Sequence, residues 1–241
     1  MIDVIAFDAD DTLWDNEGFY IQAKERFKRL LAENHTPEQV ERRLDEIEVH
    51  NVEFYGYGLK SFMLSMIETS AQLRGGQIES GIIQEIISIG KQILMTEVQP
   101  FEYAEAVLTE LSQSYRLMLI TKGDTFEQER KIKQSDLSRY FYTIDIISEK
   151  SSESYRALLD KYRIDPGRFL MVGNSIRSDI LPVIRIGGKA VYIPYEHTWS
   201  HEMIDEPLAQ EGAYYKVANL GELVGLVKRL ETRDTFGKDN P

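Results

Sequence analysis

Near its N-terminus the chain reads Val4-Ile5-Ala6-Phe7-Asp8-Ala9-Asp10-Asp11-Thr12-Leu13. The first four residues form a continuous apolar run that is bounded by charge, which is typical of a strand buried inside a parallel sheet. Asp8, Asp10 and Asp11 follow at once, so three carboxylates come within four residues. Ligands of parallel α/β sheets bind beyond the carboxyl ends of the strands, and the position of this acidic loop therefore indicates a candidate site.

Two interpretations of the acidic loop remain open on these residues alone. Two carboxylates about 4 Å apart repel each other by roughly 4 kcal/mol at an effective dielectric constant of 20. A bound divalent cation would offset this repulsion, and ligands that offer only oxygen atoms suit Mg²⁺. The alternative is an acidic turn that is simply solvated.

The rest of the chain predicts an α/β fold. Apolar runs that are typical of buried strands occur at 117–120, 144–147, 169–172 and 190–193. Helical segments separate or flank these runs, at 101–114, 124–138, 152–162 and 176–187. Strands that alternate with helices indicate a parallel sheet that is covered by helices on both faces.

One connection is far longer than a crossover between parallel strands requires. Over a hundred residues separate the first apolar run from the second, whereas a dozen are enough. Apolar residues recur at helical spacing through 16–97, and Thr36-Pro37-Glu38-Gln39 has the capping residues of a helix start. We therefore predict a catalytic core of residues 1–15 and 98–241, with an all-helical domain of residues 16–97 inserted in it.

Composition excludes several classes of function. The chain has 241 residues, a formal net charge of −12 and no cysteine. The absence of cysteine excludes disulfides, thiolate zinc sites, iron–sulfur clusters and cysteine nucleophiles. The negative charge argues against binding to nucleic acid or to an anionic membrane. We find neither a signal peptide nor an apolar run of the roughly 18 residues that a membrane span needs, and we expect a cytoplasmic protein.

Polar side chains follow the later strands as well. Thr121 and Lys122 end the second run, Lys150 follows the third, and the fourth leads into Gly-Asn-Ser-Ile-Arg-Ser-Asp, residues 173–179. Because the carboxyl ends of parallel strands meet at one edge of a sheet, we expect acidic, hydroxyl and ammonium groups to come together there. Asn174 and Asp179 are the candidates from the fourth strand.

This ordered set resembles the motifs of the haloacid dehalogenase superfamily of phosphatases. Asp8, Asp10, Thr12 and Leu13 match the family's Asp-x-Asp-x-Thr-Leu motif, Thr121 and Lys150 match its second and third motifs, and Gly173, Asn174 and Asp179 match its fourth with one departure. The resemblance covers nearly the whole chain and implies a Rossmann-like, doubly wound core. It also implies that the helical insertion is a cap domain.

The resemblance implies a role for each matching residue. Asp8 would attack phosphorus and form an aspartyl-phosphate, and Asp10 would serve as the general acid and base. Mg²⁺ would be the cofactor. Its ligands would be Asp8, the main-chain carbonyl of Asp10, Asp179 and position 174, where Asn replaces the Asp that is frequent in the family and removes one negative charge. Thr121, Lys122 and Lys150 would bind the phosphate.

The insertion and the loop after the fifth strand offer further candidates. Tyr55, Tyr57 and Lys60 lie between two predicted cap helices and could contact the substrate, although such residues also serve to pack helices. Formation of a Schiff base on Lys60, as in phosphonate cleavage, is a less favoured interpretation than substrate contact or helix packing. His197 and His201 are spaced for a metal site, but a surface loop, or a subunit contact through Trp199, is the favoured interpretation.

The resulting hypothesis is a Mg²⁺-dependent phosphatase that acts on a small phosphorylated metabolite. Asp10 favours this activity over dehalogenation, because dehalogenases of the family lack the second Asp. A phosphomutase of the same fold is the closest alternative. A phospho-signalling receiver and a non-catalytic binding protein are the others. The sequence identifies neither the substrate nor the oligomeric state.

Overall fold

The computed structural model describes residues 1–197, 199, 202 and 214–236. Its strands are β1 (Val4–Phe7), β2 (Arg116–Lys122), β3 (Thr143–Ile147), β4 (Phe169–Gly173), β5 (Lys189–Tyr192) and β6 (Tyr215–Lys216). They form one parallel sheet in the order β3-β2-β1-β4-β5-β6. The predicted α/β fold is confirmed, and β6 is an additional edge strand that is too short to leave an apolar run in the sequence.

The helices fall into two groups along the chain. Between β1 and β2 lie α1 (Glu17–Leu30), α2 (Pro37–Tyr55), α3 (Leu59–Leu73), α4 (Ser80–Met95) and α5 (Ala104–Ser112). The later helices are α6 (Thr125–Ser135), α7 (Ser152–Tyr162), α8 (Leu181–Arg185) and α9 (Leu223–Phe236). The long connection after β1 is therefore helical, as predicted.

Helices cover both faces of the sheet. Successive side chains of a strand point to opposite faces, and β1 separates accordingly. Ile5 and Phe7 belong to a buried cluster with residues of α5 and α9, whereas Val4 and Ala6 belong to a second cluster with residues of α7 and α8. The sheet is thus doubly wound, and its central strand is apolar on both faces.

The predicted helix at 176–187 is two elements rather than one. Ile176–Ile180 forms a π-helical turn, and α8 begins only at Leu181. Pro182 explains the new start, because a proline lacks a backbone N–H and is tolerated only in the first turn of a helix. The π-helical turn carries Asp179 and follows β4 directly, which places it at the candidate site.

The chain divides into two compact units. Unit 1 comprises Met1–Asp15, Val98–Lys122 and the described residues of Ile132–Pro241, and unit 2 comprises Asn16–Glu97 and Gly123–Lys131. The boundaries that the sequence suggests place Gly123–Lys131 in the core instead. Within unit 2, Glu127 of this segment accepts hydrogen bonds from the backbone N–H of Leu59 (2.8 Å) and from the hydroxyl of Tyr20 (3.2 Å). Glu127 therefore caps the first turn of α3.

Unit 2 has its own apolar core and its own capping chemistry. Side chains of α1 to α4 form one buried cluster, which includes Phe27, Leu44 and Ile86. The predicted start of α2 is confirmed: Thr36 and Gln39 hydrogen-bond to each other's backbone N–H groups as a capping box. These four helices bury an apolar face that none could bury alone.

The two connections to the insertion lie side by side within unit 1. Trp14, on the outgoing connection, forms an antiparallel bridge with Pro100 on the returning one. The backbone N–H of Phe101 donates a hydrogen bond to the carbonyl of Leu13 over 2.8 Å. The chain thus leaves unit 1 after Asp15 and returns to it at Val98 through two neighbouring segments.

Candidate active site

The candidate residues of unit 1 lie at the carboxyl ends of four neighbouring strands. Asp8 follows β1, Thr121 and Lys122 end β2, and Lys150 lies in the loop after β3. The fourth strand, β4, leads into Asn174 and the π-helical turn. Since all these strands are parallel, their carboxyl ends share one edge of the sheet.

Lys150 is the centre of the site. Its ammonium forms ion pairs with Oδ1 of Asp8 and, at 2.7 Å, with Oδ1 of Asp179. The side chain of Lys150 is 2% exposed, and those of Asp8 and Asp179 are 9% and 1% exposed. Three residues that are far apart in sequence therefore meet in a nearly dry cluster, in which electrostatic interactions are strong.

Burial and neighbouring charges set the protonation of this cluster. Burial raises the pKa of Asp8 to about 7; the Lys150 ammonium opposes this shift, and the charges of Asp179 and Asp10 add to it. Burial by itself would lower the pKa of Lys150, but Asp179 and Asp8 hold it above its usual value. Lys150 is therefore charged at neutral pH.

Asp179 can occupy its position because Gly173 has no side chain. A Cβ atom at Gly173 would overlap the Asp179 carboxylate, so only glycine allows this approach. The backbone N–H of Ser175 donates to Oδ2 of Asp179 over 3.0 Å. The hydroxyl of Ser175 in turn accepts a hydrogen bond from the backbone N–H of Ser178 and caps the turn.

Thr12 links Asp8 to Asn174. Its buried hydroxyl lies 3.1 Å from Oδ2 of Asp8 and 3.2 Å from Oδ1 of Asn174. The backbone N–H of Asp8 donates to the carbonyl of Val172, which continues the pairing between β1 and β4 by one residue. The carboxylate and the amide oxygen are thereby held next to each other.

Asp10 is oriented by a tryptophan. The indole N–H of Trp14, which is fully buried, donates to Oδ1 of Asp10 over 2.7 Å. Between them, Asp11 has a φ of 61°, a left-handed conformation that Asp tolerates better than most residues. The backbone N–H of Asp11 donates to the carbonyl of Trp14. The loop after β1 is thus a tight turn with a hydrogen-bonded Asp10 side chain.

The other predicted site residues have different surroundings. Thr121 is buried at the end of β2, and its partner in the strand register is Ile146 of β3. The Lys122 ammonium pairs with Glu202 and donates to the hydroxyl of Ser178 over 3.0 Å. Tyr55, Tyr57 and Lys60 belong to unit 2.

Two buried residues of the site escaped the sequence analysis. Glu202 accepts hydrogen bonds from Ser175 and Ser178, and no motif in the surrounding sequence points to it. Tyr155 on α7 is fully buried, and burial, together with the charges of Asp179 and Asp8, raises the pKa of its hydroxyl well above the usual value. Its helical spacing with Leu158 and Leu159 predicts only a core residue.

The donor set of this edge fits Mg²⁺. The carboxylates of Asp8 and Asp179 converge, and Asn174 adds a neutral oxygen next to Asp8. Within the described ranges, no three Asp, Glu, His or Cys side chains are grouped as a metal cluster.

Two further predictions from the sequence concern the histidine pair and membrane-spanning segments. His201, the second member of the predicted histidine pair, lies outside the described residues, as does most of the loop around Trp199. In the part of the chain that the structure describes, no helix has the length and apolarity to cross a membrane.

Comparisons with known proteins support the fold and indicate a class of enzyme. The family described as haloacid dehalogenase-like hydrolase matches residues 2–187. N-acylneuraminate-9-phosphatase of Rattus norvegicus is 26% identical over 244 residues, which cover 95% of each chain. Glyceraldehyde 3-phosphate phosphatase of Methanothermobacter thermautotrophicus is 24% identical over 211 residues, which cover 82% of this chain and 88% of that protein.

Solved structures show the same architecture. A haloacid dehalogenase-like family hydrolase from Xanthomonas campestris has a TM-score of 0.87 and 34% identity, over 98% of this chain and 95% of its own. A putative HAD-hydrolase from Bacillus subtilis, described as bound to magnesium, has a TM-score of 0.61 and 17% identity, over 93% of this chain and 98% of its own. The second likeness concerns the fold alone.

Proposed function

The chain belongs to the haloacid dehalogenase-like hydrolase family, and on that basis we propose that it is a Mg²⁺-dependent phosphatase. Its substrate is a small phosphate monoester, and Asp8 is the nucleophile. The observation that carries this proposal is the convergence of Asp8 and Asp179 on the buried Lys150 ammonium. A solvated acidic turn would not bury three charged groups together.

The reaction proceeds in two displacements at phosphorus. A carboxylate oxygen of Asp8 attacks phosphorus, the bond to the ester oxygen breaks, and Asp10 donates a proton to that leaving oxygen. Water then attacks phosphorus while Asp10 takes up its proton. The bond between Asp8 and phosphorus breaks, phosphate leaves, and both aspartates return to their first state.

Lys150 and Thr121 stabilise the charge that develops on the phosphoryl oxygens. The ion pairs of Lys150 support this role, because they hold its ammonium beside the attacking carboxylate before any substrate binds. The hydrogen bond from Trp14 orients the Asp10 side chain. These groups need little reorganisation during the reaction.

Four groups would hold the metal: the side chains of Asp8, Asp179 and Asn174 and the main-chain carbonyl of Asp10. When bound, Mg²⁺ neutralises negative charge on the carboxylates and on the phosphoryl group. Asn174 contributes an oxygen but no charge. We therefore expect weaker binding of Mg²⁺ than a site with aspartate at this position would give.

The names of the relatives support a small phosphorylated metabolite as the substrate. One relative is a phosphatase named for N-acylneuraminate 9-phosphate and the other is named for glyceraldehyde 3-phosphate. Tyr55, Tyr57 and Lys60 of unit 2 are the proposed residues for substrate selection. The Lys60 ammonium is bound to Asp124 over 2.8 Å but is largely exposed, so it can exchange this partner at low cost.

The test is hydrolysis of p-nitrophenyl phosphate with and without Mg²⁺, by the wild type and by Asp8→Asn. We expect metal-dependent turnover that falls by at least about 10³-fold in the variant, because the nucleophile is lost. The matched control is Asp11→Asn, which makes the same change in the same loop at a position where Asn accepts the left-handed conformation. Its turnover should stay within about 3-fold of the wild type.

Each alternative has its own result. Equal turnover by wild type and Asp8→Asn would contradict the aspartyl-phosphate mechanism. If the wild type fails on p-nitrophenyl phosphate, N-acylneuraminate 9-phosphate, glyceraldehyde 3-phosphate and related esters, the phosphatase proposal is wrong. Transfer of the phosphoryl group within a sugar phosphate would then identify a mutase.

A further inference from the structure

Glu202 is a buried carboxylate that binds groups from two strand ends. Its Oε2 accepts hydrogen bonds from the hydroxyls of Ser175 and Ser178, each over 2.6 Å. The ammonium of Lys122 pairs with its Oε1. The side chains of Lys122 and Glu202 are 15% and 11% exposed. We refer to Lys122, Ser175, Ser178 and Glu202 as the Glu202 network.

The network connects two parts of the sheet edge that the strand ladder does not join directly. Lys122 ends β2 and the serines follow β4, but β1 lies between these strands. No ladder hydrogen bond therefore runs from β2 to β4. The Glu202 carboxylate bridges this gap through Lys122, Ser175 and Ser178, and Lys122 also donates directly to the Ser178 hydroxyl over 3.0 Å. The Glu202 network as a whole therefore sets the spacing of Lys122 from the π-helical turn.

One serine of the network, Ser175, also holds Asp179, and the other, Ser178, supports Ser175. The backbone N–H of Ser175 donates to Asp179, and its hydroxyl both donates to Glu202 and accepts from the backbone N–H of Ser178. Ser178 is adjacent to Asp179 in the chain. A change at Glu202 therefore reaches Asp179 through no more than one intervening residue.

The network balances the charge of Lys122. Burial by itself would raise the pKa of Glu202, but the Lys122 charge and the hydrogen bonds from Lys122, Ser175 and Ser178 outweigh it and lower the pKa to about 2. Glu202 is thus ionised at neutral pH. Loss of this charge would remove the negative partner of the Lys122 ammonium that Glu202 supplies, at the edge where a cation is proposed to bind.

We propose that Glu202 is a positioning residue that fixes Asp179 and neutralises Lys122, and that the Mg²⁺ affinity of the site depends on it. Lys122 acts in this arrangement as the counter-ion of Glu202 and not as a ligand of the phosphate. The inference rests on the proposed function in one respect, namely that Asp179 and its neighbours bind Mg²⁺.

The experiment is a calorimetric titration of Mg²⁺ into the wild type, Glu202→Gln, Lys122→Met and the double variant, without substrate. Glutamine keeps the acceptor oxygen for the serines but removes the charge, so we expect the Kd of Glu202→Gln to rise by about 10-fold. In the double variant both charges are absent. Its Kd should return to within about 3-fold of the wild-type value, so the two substitutions should not be additive.

The matched control is Glu48→Gln in unit 2. Glu48 is also a buried glutamate paired with a lysine, Lys24, at 2.8 Å. Its substitution should lower the thermal stability to a similar degree but leave the Kd for Mg²⁺ unchanged. A purely structural role of Glu202 would make the two variants behave alike in the titration.

Three results would overturn the inference: a wild-type Kd in Glu202→Gln, additive effects in the double variant, or a wild type that does not bind Mg²⁺. A wild type that binds Mg²⁺ but hydrolyses no phosphate ester would instead overturn the proposed function alone. In that case the titrations still decide whether Glu202 positions the site.

Discussion

Each unit of the molecule has a lysine that is shared by two carboxylates. In unit 2, Lys24 of α1 pairs with Asp45 (2.9 Å) and Glu48 (2.8 Å), which are three residues apart on α2. In unit 1, Lys150 pairs with Asp8 and Asp179. One cluster joins two helix faces, whereas the other joins three loops that follow three strands.

Each cluster combines one lysine with two carboxylates and has a formal charge of −1, but the excess negative charge has different surroundings in the two clusters. In unit 2 the side chain of Asp45 is 39% exposed, so water can solvate the excess charge. In unit 1 every side chain of the cluster is at most 9% exposed, and burial raises the pKa of Asp8 to about 7. Excess negative charge that is buried favours the binding of an additional cation. Excess negative charge that water solvates needs no further cation and is typical of a structural ion pair.

The largest expected difference concerns catalysis. Lys150→Met should lower kcat/KM for an aryl phosphate by about 10³-fold, because a preorganised charge next to the phosphoryl group is lost. Lys24→Met removes an equivalent charge from the other cluster and should change kcat/KM by no more than about 3-fold. Steady-state kinetics of both variants test this. Equal losses would show that both lysines act structurally.

The second expected difference between the clusters concerns the unfolding free energy of the metal-free protein. Lys150→Met leaves two buried carboxylates without the positive charge that they share and should cost about 3 kcal/mol of unfolding free energy. Lys24→Met should cost less, about 2 kcal/mol, because it leaves one buried carboxylate, Glu48, without a countercharge while Asp45 is solvated. Saturating Mg²⁺ should stabilise Lys150→Met more than it stabilises the wild type and Lys24→Met, which should gain equally, as urea unfolding would measure. A gain in Lys150→Met no larger than that of the wild type would contradict a cation site at Asp8 and Asp179.

Trp14→Phe tests the orientation of Asp10 alone. Phenylalanine fills most of the buried space but cannot donate the 2.7 Å hydrogen bond, so kcat should fall by about 10-fold. The KM should change little, because the indole is not proposed to touch the substrate. The comparable substitution Phe27→Leu in the core of unit 2 should lower stability without this loss. An unchanged kcat in Trp14→Phe would show that Asp10 needs no such donor.

The smallest expected effects come from one helix cap in each unit. Thr36 caps α2, and Ser151 caps α7 directly after Lys150. Alanine at either position should lower the unfolding free energy by about 1 kcal/mol. Only Ser151→Ala should also reduce kcat/KM, by about 3-fold, because it loosens the residue next to Lys150. Identical kcat/KM values for Thr36→Ala and Ser151→Ala would show that the cap of α7 does not affect catalysis.

Local patterns explain why so much of the fold was predictable. The apolar runs of β1, β2 and β4 are buried on both faces, and this leaves a signal in consecutive residues. The edge strand β3 is only partly buried but has a similar apolar run. The acidic loop after β1 is equally local. For the same reason the start of α2 at Thr36 is visible in four residues, whereas the two-residue strand β6 leaves no pattern.

The unpredicted features depend on contacts through space. Glu202 and Lys122 are 80 residues apart, and neither stands in a recognisable motif with the other. The segment Gly123–Lys131 packs with the helices of unit 2 through Glu127, which a strand-helix pattern cannot reveal. The close approach of Asp179 to Gly173 likewise follows from the π-helical turn, whose sequence is that of an ordinary helix.

The bridge between Trp14 and Pro100 has a consequence for how such genes can be recombined. The outgoing and returning connections are already paired at Trp14 and Pro100, so a short hairpin could join them in place of the insertion. The codons for 16–97 can therefore be exchanged for those of another helical module without stretching unit 1. The exchanged module would need a surface that accepts Gly123–Lys131, since this segment packs with the native insertion. A chimera library built on these two junctions would test the proposal that unit 2 selects the substrate, because the proposed reacting groups all belong to unit 1.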